Sequence, residues 1–140
     1  MSKRNKTAAP VPPGAVVLDN GALSLALAND RTVRADLRIA ADEQRPLVIS
    51  ALTILEAHNG RERQERLRYF LSGVHVVEVL PEDAFAGTEL MGERSQGHKY
   101  AIDSAIAAMC IRIRAHRILT SDEDDMTRLL AGTGIEVARV

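Results

Sequence analysis

The stretch RILTSDEDDMTRLL, Arg117 to Leu130, decides how the chain is read. A short apolar run closes on Thr120 and Ser121, four consecutive acids follow (Asp122 to Asp125), and a helical pattern begins. An acid where a strand hands over to a helix has two readings. Its carboxylate can cap the helix, accepting from a free N–H of the first turn and facing the positive end of the dipole. Or it can offer an oxygen to a hard cation at the edge of a sheet.

Working outward, the same handover recurs. AVVL (Ala15 to Leu18) is short, apolar and β-branched, and ends at Asp19 before the turn pair Asn20-Gly21, with a helix expected from about Ala22. A second helix is expected over residues 32–43. LVIS then leads into the helix ALTILEAHN, with Ser50 placed to cap it and Gly60 placed to end or interrupt it. The charged helix RERQERLRYFLS, the strand VHVVEV and a helix opened by Pro81-Glu82-Asp83 follow. Residues 92–97 read as a loop. The longest helix is expected from Tyr100 to about His116, burying Ile102, Ile106, Met109 and Ile113 along one stripe. RILT, a short helix over residues 122–131 and the strand IEVARV complete the chain. Strands alternate with helices and are apolar without alternation, the pattern of a parallel sheet covered on both faces. The expected fold is an α/β three-layer sandwich with a parallel central sheet of about five strands and helices on both faces.

Composition bounds what such a domain can do. The chain has 140 residues with 46% hydrophobic but only 3% aromatic residues and no Trp, so Ala, Val, Ile and Leu must build the core. A net charge of −1 provides no global basic field for nucleic acid. The single cysteine, Cys110, excludes an internal disulfide and suits a reducing, cytoplasmic setting. Residues 1–13, polar, basic and then rich in Ala and Pro, read as a flexible tail, and residues 14–140 as one domain. No stretch resembles a secretory signal or a membrane span.

Ligands in open parallel sheets bind beyond the carboxyl ends of the strands, and four acids fall there: Asp19, Glu56, Asp103 and Asp122, separated by 37, 47 and 19 residues. Each has an ordinary explanation. Asp19 could start a turn, Asp122 could cap a helix, and Asp103, read as first-turn, could favour a helix's positive end. Glu56, among Ile54, Leu55 and Ala57, is harder to dismiss, because a partly buried carboxylate needs a cation or a donor. Gathered together the four would repel one another, and a hard divalent cation such as Mg²⁺ or Mn²⁺ relieves that. Zinc lacks its ligand pattern. An EF-hand loop starting at Asp122 lacks its Gly and would have Thr133 where Glu is needed. His98 is the one histidine near the acids in sequence. No glycine-rich phosphate loop or nucleophile elbow is present.

VVLDNGAL around Asp19, ISALTILEAHNG around Glu56, AFAGTELMG from Ala84, YAIDSAIAAM around Asp103 and ILTSDEDDMTRLL around Asp122 resemble, in this order, the PIN-domain ribonucleases, most closely the VapC-like toxins of bacterial toxin–antitoxin pairs. The resemblance spans about residues 15–140. It implies a metal-dependent endoribonuclease binding Mg²⁺ or Mn²⁺, with Asp19 and Asp103 as principal ligands and Glu56 and Asp122 as further ligands or orienters of the attacking water. It also implies that Thr120 and Ser121 hold a ligand or a water beside the last acid, with Asp124 as a possible supporting acid. Asn20 stands where a small hydroxyl residue is often found, and Ser104 where Ala is usual. RNA would meet the basic cluster Arg61, Arg63, Arg66 and Arg68, which could equally be a solvated helix face paired with Glu62 and Glu65. A cognate antitoxin and a homodimer are implied partners, with helices between Ala22 and Ala41 or Leu67 and Leu71 as docking surfaces. Two other classes stay open: a PIN-like module acting by docking with weak or no catalysis, and a receiver-like signalling domain. The latter would need a phosphorylatable Asp and an opposing Lys that HVVEVLPED does not supply.

Overall fold

The computed structural model describes residues 10–57, 64–93 and 97–140. The elements run β1 (Val16–Leu18), α1 (Asn20–Leu27), α2 (Arg31–Asp42), β2 (Leu47–Ser50), α3 (Ala51–Ala57), α4 (Gln64–Leu71), β3 (His75–Val77), α5 (Pro81–Met91), α6 (Gly97–Arg112), β4 (Arg117–Thr120), α7 (Glu123–Leu129) and β5 (Glu136–Arg139). The five strands form one parallel sheet in the order β3-β2-β1-β4-β5, as expected from the alternating pattern. Chain order reverses between β1 and β4, which pair Leu18 with Leu119. Their carboxyl ends therefore form the switch point where such sheets take ligands.

The absence of alternation has a direct cause. Val17, Val48 and Ile118 pack on one side against Ile106, Met109 and Cys110 of α6 and Met126 and Leu129 of α7. Val16, Leu18, Ile49 and Leu119 pack on the other against Leu23 and Leu27 of α1, Val33 of α2 and Leu67 of α4. Only the edge strands expose residues, such as His75 and Val76 on β3 and Glu136 and Arg139 on β5. Val11 packs onto the core, and no helix among the described residues is long and apolar enough to cross a membrane.

Helix ends depart from the sequence expectation in instructive ways. Helix α1 begins at Asn20 rather than Ala22, because the Asp19 carboxylate caps it, its Oδ1 accepting from the Ala22 N–H at 3.1 Å. Asn20-Gly21 is thus a first helical turn. Helix α6 spans Gly97–Arg112, earlier at both ends than expected. It stops where Arg114 turns left-handed (φ 54°) and the Ala115 N–H reaches back to the Cys110 carbonyl. Asn29 and Gln44 end α1 and α2 in the same way, without the usual glycine. The Gly60 stop lies outside the described residues.

Helix α5 is held unusually. Its fully buried residues are Asp83 and Gly87, not an apolar stripe, and Phe85 is exposed. A Cβ on Gly87 would sit 3.2 Å from the backbone C and O of Ser104, so the missing side chain is what lets α5 close on α6.

Candidate metal centre

Asp19 follows β1 and is 5% exposed. While Oδ1 caps α1, Oδ2 accepts from the Thr120 hydroxyl at the end of the neighbouring strand β4. The same Thr120 oxygen accepts from the Asp122 N–H at 2.9 Å, so one hydroxyl ties the β1 acid to the turn carrying the β4 acid. Ser121 hangs over Gly21, where a Cβ would come within 2.3 Å of its Oγ. The Asp-Asn-Gly sequence thus serves a close approach between α1 and the end of β4. Burial raises the Asp19 pKa, the Thr120 and Ala22 hydrogen bonds oppose the rise, and Asp122 adds to it.

Asp103 comes from α6. It is seven residues into the helix, not in the first turn as read from sequence, so the helix's positive end does not account for it. It is 4% exposed, and its Oδ2 is buried with no hydrogen-bond partner. Burial first, then the charges of Asp122, Glu56 and Asp19, push its pKa up to about 7. Glu56, half-buried on α3, is raised by burial and by Asp19 and Asp122, with Lys99 opposing. Asp103 therefore feels the other three acids, Glu56 feels Asp19 and Asp122, and Asp19 feels Asp122. The fold brings together what the sequence spreads over a hundred positions.

Asp122 is the N-cap residue of α7, yet its side chain caps nothing. Lys99, from the first turn of α6, takes it instead, with Nζ 3.0 Å from both carboxylate oxygens. Sequence reading missed Lys99, although its spacing of four residues before Asp103 puts both on one helix face. Glu123 and Asp124 are exposed on the first turn of α7, and Asp125 pairs with Arg128 at 3.5 Å. His98 is exposed. Near the start of α1 and α3, Asn20 Oδ1 and Thr53 Oγ1 are also buried without partners. Arg61 and Arg63 lie outside the described residues. Arg66 is exposed and donates to the Leu27 carbonyl at the end of α1.

The donor chemistry fits a hard divalent cation: four carboxylates, one with a buried oxygen that has no hydrogen-bond partner. Among the described residues, however, no three His, Cys, Asp or Glu side chains close on a single point.

Comparison with known proteins agrees with this architecture. The family model described as PIN domain matches residues 16–129. No curated protein matches the chain. Among solved structures, VapBC2 from Rickettsia felis bound to a DNA fragment from its promoter aligns with a TM-score of 0.71 at 16% identity, covering 90% of this chain and 98% of that one. DNA-bound VapBC from Salmonella typhimurium aligns at 0.68 and 18% identity with the same coverage. A toxin–antitoxin complex from Klebsiella pneumoniae aligns at 0.63 and 21% identity, covering 84% of this chain and 92% of that one. At such identities the likeness is one of fold.

Proposed function

Because the chain belongs to the PIN domain family, whose members are nucleases, we propose that it is a metal-dependent endoribonuclease, the toxin of a toxin–antitoxin pair. The observation that carries this reading is Asp103, a buried carboxylate with an unpaired oxygen and three acids as its neighbours. A purely structural role does not call for that concentration of charge, whereas binding the divalent cation of a metal-assisted phosphodiester hydrolysis does. A bound Mg²⁺ or Mn²⁺ would supply charge neutralisation at the scissile phosphate and a more acidic water.

The chain's own residues would do the rest. Asp19 and Asp103 would hold the cation, from β1 and α6. Glu56 and Asp122 would complete the ligand set or orient the attacking water. Thr120 would keep Asp19 and the Asp122 turn in register by its paired hydrogen bonds. Ser121, Asn20 and Asp124 stand around this set as weaker candidates for holding water, and Asp124 faces solvent. Arg61 and Arg63 stay candidates for RNA phosphates, Arg66 being committed to the Leu27 carbonyl. With so few aromatics, recognition would rest on phosphates and RNA shape rather than stacking.

The toxin reading draws on the named VapBC neighbours, structures of toxin–antitoxin complexes. An antitoxin would find Ile39 on α2 and Tyr69 on α4 among the exposed large apolar residues, and a second copy of the chain could use such a face to make a homodimer. Those same exposed residues favour the second reading, a docking module with little catalysis.

The test is cleavage of a pool of structured RNAs by the purified chain, with Mg²⁺ or Mn²⁺ and with EDTA, beside Asp19→Asn and Asp103→Asn variants checked by circular dichroism. Cleavage should require metal and fall in both folded variants by more than the roughly 10- to 100-fold that loss of a supporting partner costs. Absence of both cleavage and metal binding would transfer the function to docking.

A further inference from the structure

Lys99 is the one described cation that bears on the four acids. Its ammonium is equidistant from both Asp122 oxygens, at 3.0 Å, so neither oxygen is free of it. The same charge opposes the rise in Glu56 and Asp103. The Lys99 side chain is 66% exposed and that of Asp122 26%, which puts the pair at the solvent-facing rim of the acidic cluster rather than at its buried centre. A lysine is a point charge on a flexible stem, without the two-pronged grip of arginine. Such an exposed pair is worth about 0–1 kcal/mol, strong enough to be occupied and weak enough to be replaced.

We propose that Lys99 is a resident counter-ion of the acidic cluster: its ammonium occupies the Asp122 carboxylate that a divalent cation would use, so the cation fills the site only by displacing it. This inference rests on the metal reading above and deepens it. Lys99 thereby sets the free-cation concentration at which the cluster loads. Lys99 is a positioning residue in this role, because it acts through Asp122.

The experiment is Mn²⁺ titration by calorimetry at neutral pH, on the full chain and on Lys99→Met, Lys99→Arg, Asp122→Asn and the Lys99→Met/Asp122→Asn double variant. Because the side chain is largely exposed, circular dichroism should be unchanged in the Lys99 variants and the thermal melt of Lys99→Met should fall by no more than a few degrees. Lys99→Met should bind Mn²⁺ about three- to fivefold more tightly, the ceiling for an exposed pair. Lys99→Arg, which keeps the pair, should stay within about twofold of the wild type. The Asp122→Asn variant retains Asp19 and Asp103 and should bind more weakly. On that background Lys99→Met should gain less than about twofold, since only its through-space repulsion of the ion is left to remove. Unchanged or weaker binding in Lys99→Met overturns the inference. So does a gain that survives at full size in the Asp122→Asn background, which would make Lys99 a remote charge rather than a competitor. Both of those outcomes leave the metal reading standing, whereas failure of every chain to bind millimolar Mn²⁺ would bring down both.

Discussion

Asp83 and Asp103 sit on the two helices of one packed pair and are buried alike, at 2% and 4% exposure. Their surroundings are opposite. Asp83 receives Arg112 on both oxygens, Nε at 2.8 Å and Nη2 at 2.9 Å, and also accepts the Leu80 N–H at the start of α5. Arg112 in turn donates to the Glu78 carbonyl. Asp103 has an unpaired oxygen, three acids around it and one lysine at the rim. Burial alone therefore says little about a carboxylate. A fully bonded one ties helices together, and a starved one is relieved only by a proton or a cation.

The largest effect should come from breaking the satisfied side. Arg112→Met strands a buried charge on Asp83 and should cost about 3–5 kcal/mol in urea unfolding. Pairing it with Asp83→Leu should recover much of that loss, because the uncompensated charge is gone. A single variant as stable as the wild type would show that the pair does not hold α5.

The starved side should respond in the other direction. Asp103's pKa is raised on folding, from 3.8 to about 7, so its contribution to stability is present below pH 4 and is lost as pH rises through about 7. The metal-free chain should accordingly be more stable at pH 5 than at pH 8. Asp103→Asn should flatten that slope and raise stability at pH 8 by an amount on the order of a few kcal/mol. Thermal melts across this range check both. The same titration should weaken metal binding as pH drops through about 7, since a cation must then displace a proton from Asp103. A destabilised Asp103→Asn at pH 8 would mean that the carboxylate has an unseen structural partner.

The smallest effect probes the contact that joins the two. Gly87 lies one turn after Asp83 and presses on Ser104, the neighbour of Asp103. Gly87→Ala forces α5 outward by a few tenths of an ångström and should cost about 1–3 kcal/mol in urea unfolding. A neutral result would show that α5 is free to shift on α6.

Much of the fold was legible in the sequence because its cause is local. AVVL, LVIS and RILT lack alternation since β1, β2 and β4 are covered on both faces, and Pro81 opens α5 with acids in its first turn, as read. Helix ends were less legible. Asn29, Gln44 and Arg114 turn left-handed without being glycine, and Asn20-Gly21 reads as a turn until Asp19 is seen capping the helix.

The candidate site divides in the same way. That acids stand where strands meet helices is a property of the sequence, fixed by the hydrophobic pattern that sets strand ends. Which of them lose their water, and which find a partner, is decided only when β1 and β4 pair and α6 folds across them. In the run Asp122 to Asp125 four acids look alike, yet the tertiary structure turns only Asp122 to Lys99 and into the field of Asp103, and leaves Glu123 and Asp124 in solvent. Charge is written in the chain, whereas its desolvation and its neighbours, which determine what a charge can do, are distances between elements far apart in sequence.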